Sequence, residues 1–173
     1  MTTDQLKRYI RDIPDFPKPG ILFRDITPLL QHGPALHGVI ELLGQRYEPQ
    51  RIDAVVAVES RGLIFGAPLA YRLKAGLVPV RKAGKLPSQT LRVDYTLEYG
   101  SGSLEIHADG VSKGMRVLLV DDLLATGGTM GAVVDLMAKA GCTIVEAAFV
   151  VELTALKGRS RLGAHPIFSL IQY

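Results

Sequence analysis

The chain has 173 residues, enough for one domain that buries about two thirds of its unfolded surface without a disulfide or metal staple. Hydrophobic residues make up 47% and charged residues 21%, which excludes a disordered chain. The 20 basic side chains exceed the 17 acidic ones by only three, too few for a dedicated nucleic-acid surface, so any basic function should be local, such as a pocket for a small polyanion.

The lone Cys142 cannot form an internal disulfide and suits a reducing cytosol. Residues 1–13 scatter Asp4, Lys7, Arg8, Arg11 and Asp12 among apolar positions, so no signal peptide is read there. No run approaches the roughly 18 apolar residues of a membrane span. A cytosolic protein with no membrane and no nucleic-acid partner is expected.

Residues 13–30 hold Pro14, Pro17, Pro19, Gly20 and Pro28 and are expected to be irregular or short helical pieces. A compact apolar run at 52–58 predicts a buried strand, followed by a helix over about 63–74. A second strand is predicted at 77–81. Residues 83–103 carry glycines and polar residues with weak alternation, a connection long enough to act as a lid or mobile hairpin. The clearest buried strand is 117–121, with a glycine-rich turn into a helix near 129–140. Further strands are predicted at 143–151 and 167–171. Runs apolar on both faces, separated by helices, imply an α/β domain with a parallel sheet covered by helices on both faces. In such sheets ligands bind beyond the carboxyl ends of the strands. That rule directs attention to Glu59-Ser60-Arg61-Gly62, to residues 81–85 and to Asp121-Asp122.

The sharpest signal runs from Val117 to Met130: a strand, two carboxylates, a turn of small residues and a helix. Ala125, Thr126, Gly127, Gly128 and Thr129 have so little bulk that successive backbone N–H groups can converge on a phosphate at the helix N-terminus. The two Thr residues add hydroxyl donors. Neither a G-x-x-x-x-G-K-[ST] loop nor a G-x-G-x-x-G turn into a helix is present. Two carboxylates beside a phosphate repel it unless they have other partners; ribose hydroxyls and a hydrated Mg²⁺ are the natural ones. The bland alternative is a tight strand-to-helix turn with a Thr cap. The four His residues show no metal-ligand spacing and are read as structural or surface groups.

The run Asp121 to Thr129 resembles the phosphoribosyl-pyrophosphate signature of the type I phosphoribosyltransferases. Further blocks at 23–30, 59–62, 81–87, 97–100 and 151–159 are together similar to the adenine-using branch of that family. The resemblance covers the chain from about residue 13 to its end. It implies a single domain over 1–173, with an N-terminal hood of about residues 1–33 and a flexible lid hairpin at about 83–103. It implies transfer of a phosphoribosyl group from phosphoribosyl pyrophosphate to adenine, giving AMP and pyrophosphate, with Mg²⁺ and a homodimeric state.

The same resemblance suggests a role for each block. Phe23 stacks on the base and Arg24 meets it through its main chain. Ser60 and Arg61 form a pyrophosphate loop with a cis peptide before the Ser, and Lys82 and Lys85 add positive charge. Arg81 follows the same strand end. Glu98 handles the proton of the base and Tyr99 is a lid contact. Asp121 and Asp122 hold the ribose hydroxyls and reach Mg²⁺ only through water. Where the family often has Asp, this chain has Glu59, whose carboxylate is given no role. The block 151–159 is expected to support the sheet edge and the pocket wall. Two rivals stay open: a regulatory protein that binds the donor without transfer, and a transferase for another base such as hypoxanthine or xanthine.

Overall fold

The computed structural model describes residues 1–97 and 100–173. Its elements in chain order are α1 (Thr3–Lys7), β1 (Arg11–Ile13), β2 (Phe23–Asp25), α2 (Thr27–Gln31), α3 (Gly33–Tyr47), β3 (Ala54–Val58), α4 (Arg61–Leu73), β4 (Gly76–Lys82), β5 (Thr90–Leu97), β6 (Gly100–His107), β7 (Arg116–Leu124), α5 (Gly128–Ala140), β8 (Thr143–Glu152) and β9 (Ile167–Gln172). The five apolar runs become the parallel strands of a seven-stranded sheet ordered β5-β6-β4-β3-β7-β8-β9.

Strand periodicity splits the core into two layers. Val55, Ala57, Leu118, Val120, Ala148 and Val150 face α3, α4 and the N-terminal elements. Ala54, Val56, Val58, Val117, Leu119, Ala147 and Phe149 face α5 and the β5–β6 hairpin. Helices therefore cover both faces, as expected.

The sheet differs from a purely parallel one at one edge. Residues 83–103 are largely an antiparallel hairpin, with Thr90 opposite His107 and Leu97 opposite Gly100. The hairpin joins the sheet through Arg81–Glu105 and Lys82–Leu104 pairing of β4 with β6. Leu91, Val93 and Tyr95 pack on the α5 side, so weak alternation was enough for one covered face. The strand predicted to end at residue 121 continues to Leu124, because its pairing with β8 runs on to Leu124–Glu152.

The N-terminal segment contains more order than its prolines suggest. Strand β1 pairs antiparallel with β2, Ile13 opposite Phe23. Helix α1 opens with a capping box between Thr2 and Gln5. The 15-residue α3 has no counterpart in the sequence reading, although Val39, Ile40, Leu43 and Tyr47 form its buried stripe. The His32 side chain accepts the Ala35 N–H at 3.2 Å and starts the helix one turn after the irregular stretch.

Leu119 is 0% exposed between β3, β8 and α5. Leu119→Ala is expected to lower unfolding free energy by about 2–5 kcal/mol. In a urea titration the midpoint should fall at an unchanged slope.

Candidate active site

Strand β7 delivers Asp121 and Asp122, and the chain then turns through Ala125, Thr126 and Gly127 into α5. Gly127 is the N-cap, with φ +82°, and no side chain caps the helix. The Thr-capped turn is therefore not what forms; the first-turn amide groups of α5 remain available to an anion. Arg61, Asp121, Asp122 and residues 123–130 line one cavity of about 210 Å³, so Ala125, Thr126, Gly127, Gly128 and Thr129 meet as expected.

The cradle is backed by a segment whose role the sequence left undefined. A Cβ on Gly127 would fall 2.3 Å from the Gly158 carbonyl oxygen. One on Gly158 would fall 2.3 Å from the Ala125 carbonyl oxygen. The two backbones touch directly, which only glycine at both positions permits.

The paired carboxylates sit inside the strand rather than beyond it. Asp122 is 4% exposed, and its Oδ2 lies 2.8 Å from Arg61 Nε. Asp121 Oδ1 accepts the Asp122 N–H at 2.9 Å. Gly62 allows α4 to approach this pair, since a Cβ there would stand 2.9 Å from Asp121 Oδ1. Burial pushes the Asp121 carboxyl well above the usual carboxylate range, and the Asp122 charge adds to the effect. Burial also raises Asp122, against the pull of Arg61. Arg61 thus faces a carboxylate, whereas the resemblance points it at pyrophosphate.

The Glu59–Ser60 peptide is cis, as the resemblance implied. Glu59 has a partner after all: Arg81 donates through Nε and Nη2 at 3.0 and 2.9 Å, and through Nη1 to the Lys85 carbonyl at 2.9 Å. That fork holds the strand end and the following turn together. Ser60, Lys82 and Lys85 are exposed and line neither the cradle nor the pocket described next. Glu98 and Tyr99 lie outside the described residues.

A second cavity of about 370 Å³ adjoins the cradle through Arg61, which lines both. Its walls are Ile13, Phe16, Phe23, Asp25, Ile26, Thr27 and Leu30. Phe16 meets Phe23 edge-on, with ring centroids 5.2 Å apart. This gives a flat apolar slot suited to an aromatic ring. The Arg24 side chain is taken by an ion pair with Asp12 and by the Tyr173 ring, 3.8 Å away, which leaves its main chain for recognition. Asp25 accepts from the Thr27 N–H and hydroxyl and from Arg11, which together bring its carboxyl down to about 2 and fix the turn into α2. Sequence reasoning missed Ile13, which β1–β2 pairing sets opposite Phe23, and Phe16, which lies in the turn between the two strands; Asp25 lay within the block 23–30 without a role. A larger cleft of about 490 Å³ lies between the hairpin and residues 161–165. It includes neither Asp121 nor Asp122, so size alone does not mark the site.

The raised Asp121 carboxyl has a definite consequence for stability. Its ionised form is disfavoured in the fold, so stability falls as pH rises from the ordinary carboxylate range through the raised value. Asp121→Asn keeps the acceptor for the Asp122 N–H and removes the charge. The thermal midpoint should rise by about 2–5 °C at pH 7, and the gain should shrink towards pH 4 in calorimetry.

The geometry has close relatives. A family model for the phosphoribosyl transferase domain matches residues 25–171. An adenine phosphoribosyltransferase of Chloroflexus aurantiacus is 58% identical over 173 residues, covering all of both chains. The crystal structure of adenine phosphoribosyltransferase from Thermoanaerobacter pseudethanolicus is 52% identical, with a TM-score of 0.95 over 99% of this chain and 100% of that one. The enzyme of that name from Saccharomyces cerevisiae, solved with adenine and an imino-altritol bisphosphate, is 40% identical with a TM-score of 0.93 over 97% of each chain. A strand-borne carboxylate pair, an uncapped glycine helix start and an aromatic slot, on a chain matched over its full length, place this protein in the phosphoribosyltransferase family, among the adenine phosphoribosyltransferases.

Proposed function

We propose that the protein transfers the 5-phosphoribosyl group of phosphoribosyl pyrophosphate to N9 of adenine, releasing pyrophosphate and forming AMP. The observation that carries this reading is the meeting of two unlike cavities at Arg61: an anion cradle with two carboxylates, and an aromatic slot. A ribose 5-phosphate in the first places its anomeric carbon towards a flat base in the second. The C1′–oxygen bond to pyrophosphate breaks, the C1′–N9 bond forms, and the N9 proton leaves to an acceptor.

The first-turn amides of α5 and the hydroxyls of Thr126 and Thr129 hold the 5-phosphate. Asp121 and Asp122 accept from the ribose hydroxyls and stabilise positive charge growing at C1′. For this Asp122 gives up Arg61, which becomes free to meet the departing pyrophosphate. Ser60, Lys82 and Lys85 complete that anion contact, with Arg81 held by Glu59 at the neighbouring strand end. Phe23 stacks on adenine, and the main chain at Arg24 reads its N1 and N6 edge. Glu98 takes up the proton of the base, and Tyr99 belongs to the lid formed by residues 83–103, which excludes water. No side-chain nucleophile is required. Cys142 Sγ is 3.7 Å from the Ser112 carbonyl and lines neither cavity.

The donor set fits a Mg²⁺ carried by the substrate. Among the described residues no cluster of three or more His, Cys, Asp or Glu side chains could cage an ion. Two adjacent carboxylates can still meet its water shell, and Mg²⁺ is often held mainly by phosphates and water. When bound, the ion neutralises charge on the leaving pyrophosphate. A homodimer with hood 1–33 over each site, in the cytosol, completes the reading. No helix among the described residues is long and apolar enough to cross a membrane.

Turnover assays with adenine, hypoxanthine, guanine and xanthine test the proposal. With phosphoribosyl pyrophosphate and Mg²⁺, product should form with adenine and with none of the other three bases. Turnover with none of the four would point to a regulatory donor-binding protein, and preference for a 6-oxopurine would move the assignment to another base. Glu98→Gln should lower kcat at least about a hundredfold while leaving donor affinity within about twofold. An unchanged kcat would remove Glu98 from the mechanism.

A further inference from the structure

We propose that the Glu152–Arg159 ion pair is the device that positions the phosphate cradle, acting through Gly158. The inference rests on the ribose-phosphate reading of that cradle and identifies what holds it in register. Gly158 does not line the cavity, yet its backbone is packed against Ala125 and Gly127, the two turn residues that must aim amides at the ligand. Arg161 extends the contact, its Cβ lying 3.0 Å from a Cβ placed on Gly127. The segment is therefore a mould for the turn, and its own placement decides where the turn lies.

What fixes the mould is the residue next to Gly158. Arg159 donates through Nε and Nη2 to the two oxygens of Glu152, both at 2.7 Å, and through Nη1 to the Ile167 carbonyl at 3.3 Å. Glu152 is 3% exposed and sits in β8, paired to Leu124 on one side and Gln172 on the other. The Leu153 N–H reaches back to the Leu124 carbonyl at 2.9 Å. Thus the carboxylate is anchored in the strand beside β7, which carries Asp121 and Asp122. One frame sets the carboxylates and, through the fork, the amides. A planar bidentate fork fixes both distance and direction, which a single apolar contact would not. With Glu152 buried and Arg159 open to water, the pair contributes little net stability, so its value here is geometric.

The test uses the full-length protein and variants that leave net charge unchanged. In Glu152→Met/Arg159→Met both charges go together, so no orphan carboxylate is buried and the long-range field at the phosphate is preserved. Arg159→Lys keeps the charge but loses the fork. Calorimetric titration with AMP, and KM values for phosphoribosyl pyrophosphate and for adenine, are measured beside the thermal midpoint. The double variant should bind AMP about tenfold more weakly and show a similar rise in donor KM, with adenine KM within about twofold. Arg159→Lys should fall between it and the parent, and carries the test if the double variant does not fold. Parent-like AMP affinity in a folded variant, or an equal loss for adenine, would overturn the positioning role. A parent protein that neither binds AMP nor turns over would instead overturn the functional reading beneath it.

Discussion

Two carboxylates held side by side in a strand, with an uncapped helix beginning six residues later, are a poor arrangement for a protein that binds nothing. Burial and mutual repulsion push Asp121 towards its neutral form, and α5 starts without a side chain to satisfy its first amides. Each deficit is the complement of one part of a sugar phosphate: hydroxyl donors for the acids, an anion for the amides. Free-state instability of this kind is where binding energy can be recovered on ligand entry. The rest of the fold maintains that arrangement. The parallel strands bring their carboxyl ends to one edge, Gly62 lets α4 close on Asp121, and Gly158 backs the turn.

Arg61 connects this edge to the N-terminal elements. As the first residue of α4 it borders both cavities and meets the Asp122 carboxylate between them. The ion pair ties the start of α4 to the carboxylate pair of β7. The Glu59–Arg81 fork makes a parallel arrangement one strand away, and both follow from acidic and basic residues placed at adjacent strand ends.

The cradle was legible because its parts are contiguous: strand, acids, small residues and helix follow one another in a single run, and local rules suffice. The five parallel strands were legible for the same reason. What sequence reading lost depends on contacts between distant segments. Phe16 stands in a proline-rich stretch without periodicity, and the turn between β1 and β2, where its N–H donates to the Ile21 carbonyl, carries it to Phe23. Asp122 and Arg61 belong to different βα units, so their contact is a property of strand order. The end of β7 was misplaced because two Asp residues read as a break, whereas pairing with β8 and the Arg61 counter-charge carry them in the sheet. Helix α3 was hidden behind Gly33 and Pro34, which continue the look of the irregular stretch while serving as its first turn.

The two core layers divide the work of the site. The layer under α3 and α4 holds the N-terminal elements and the helix that presents Arg61, and so the aromatic slot. The layer under α5 holds the phosphate turn, with Leu124, Met130 and Leu162 packed together beneath it. A substrate lying across the carboxyl edge of β3 and β7 touches structures rooted in opposite faces of the sheet. The phosphate turn is shaped by backbone contacts at Gly127 and Gly158, and the apolar slot by side chains of the small antiparallel pair and of α2. The first kind of contact demands a rigid frame and the second tolerates repacking. A turn moulded by backbone and a slot walled by side chains are therefore consequences of which face of the sheet each cavity is built upon.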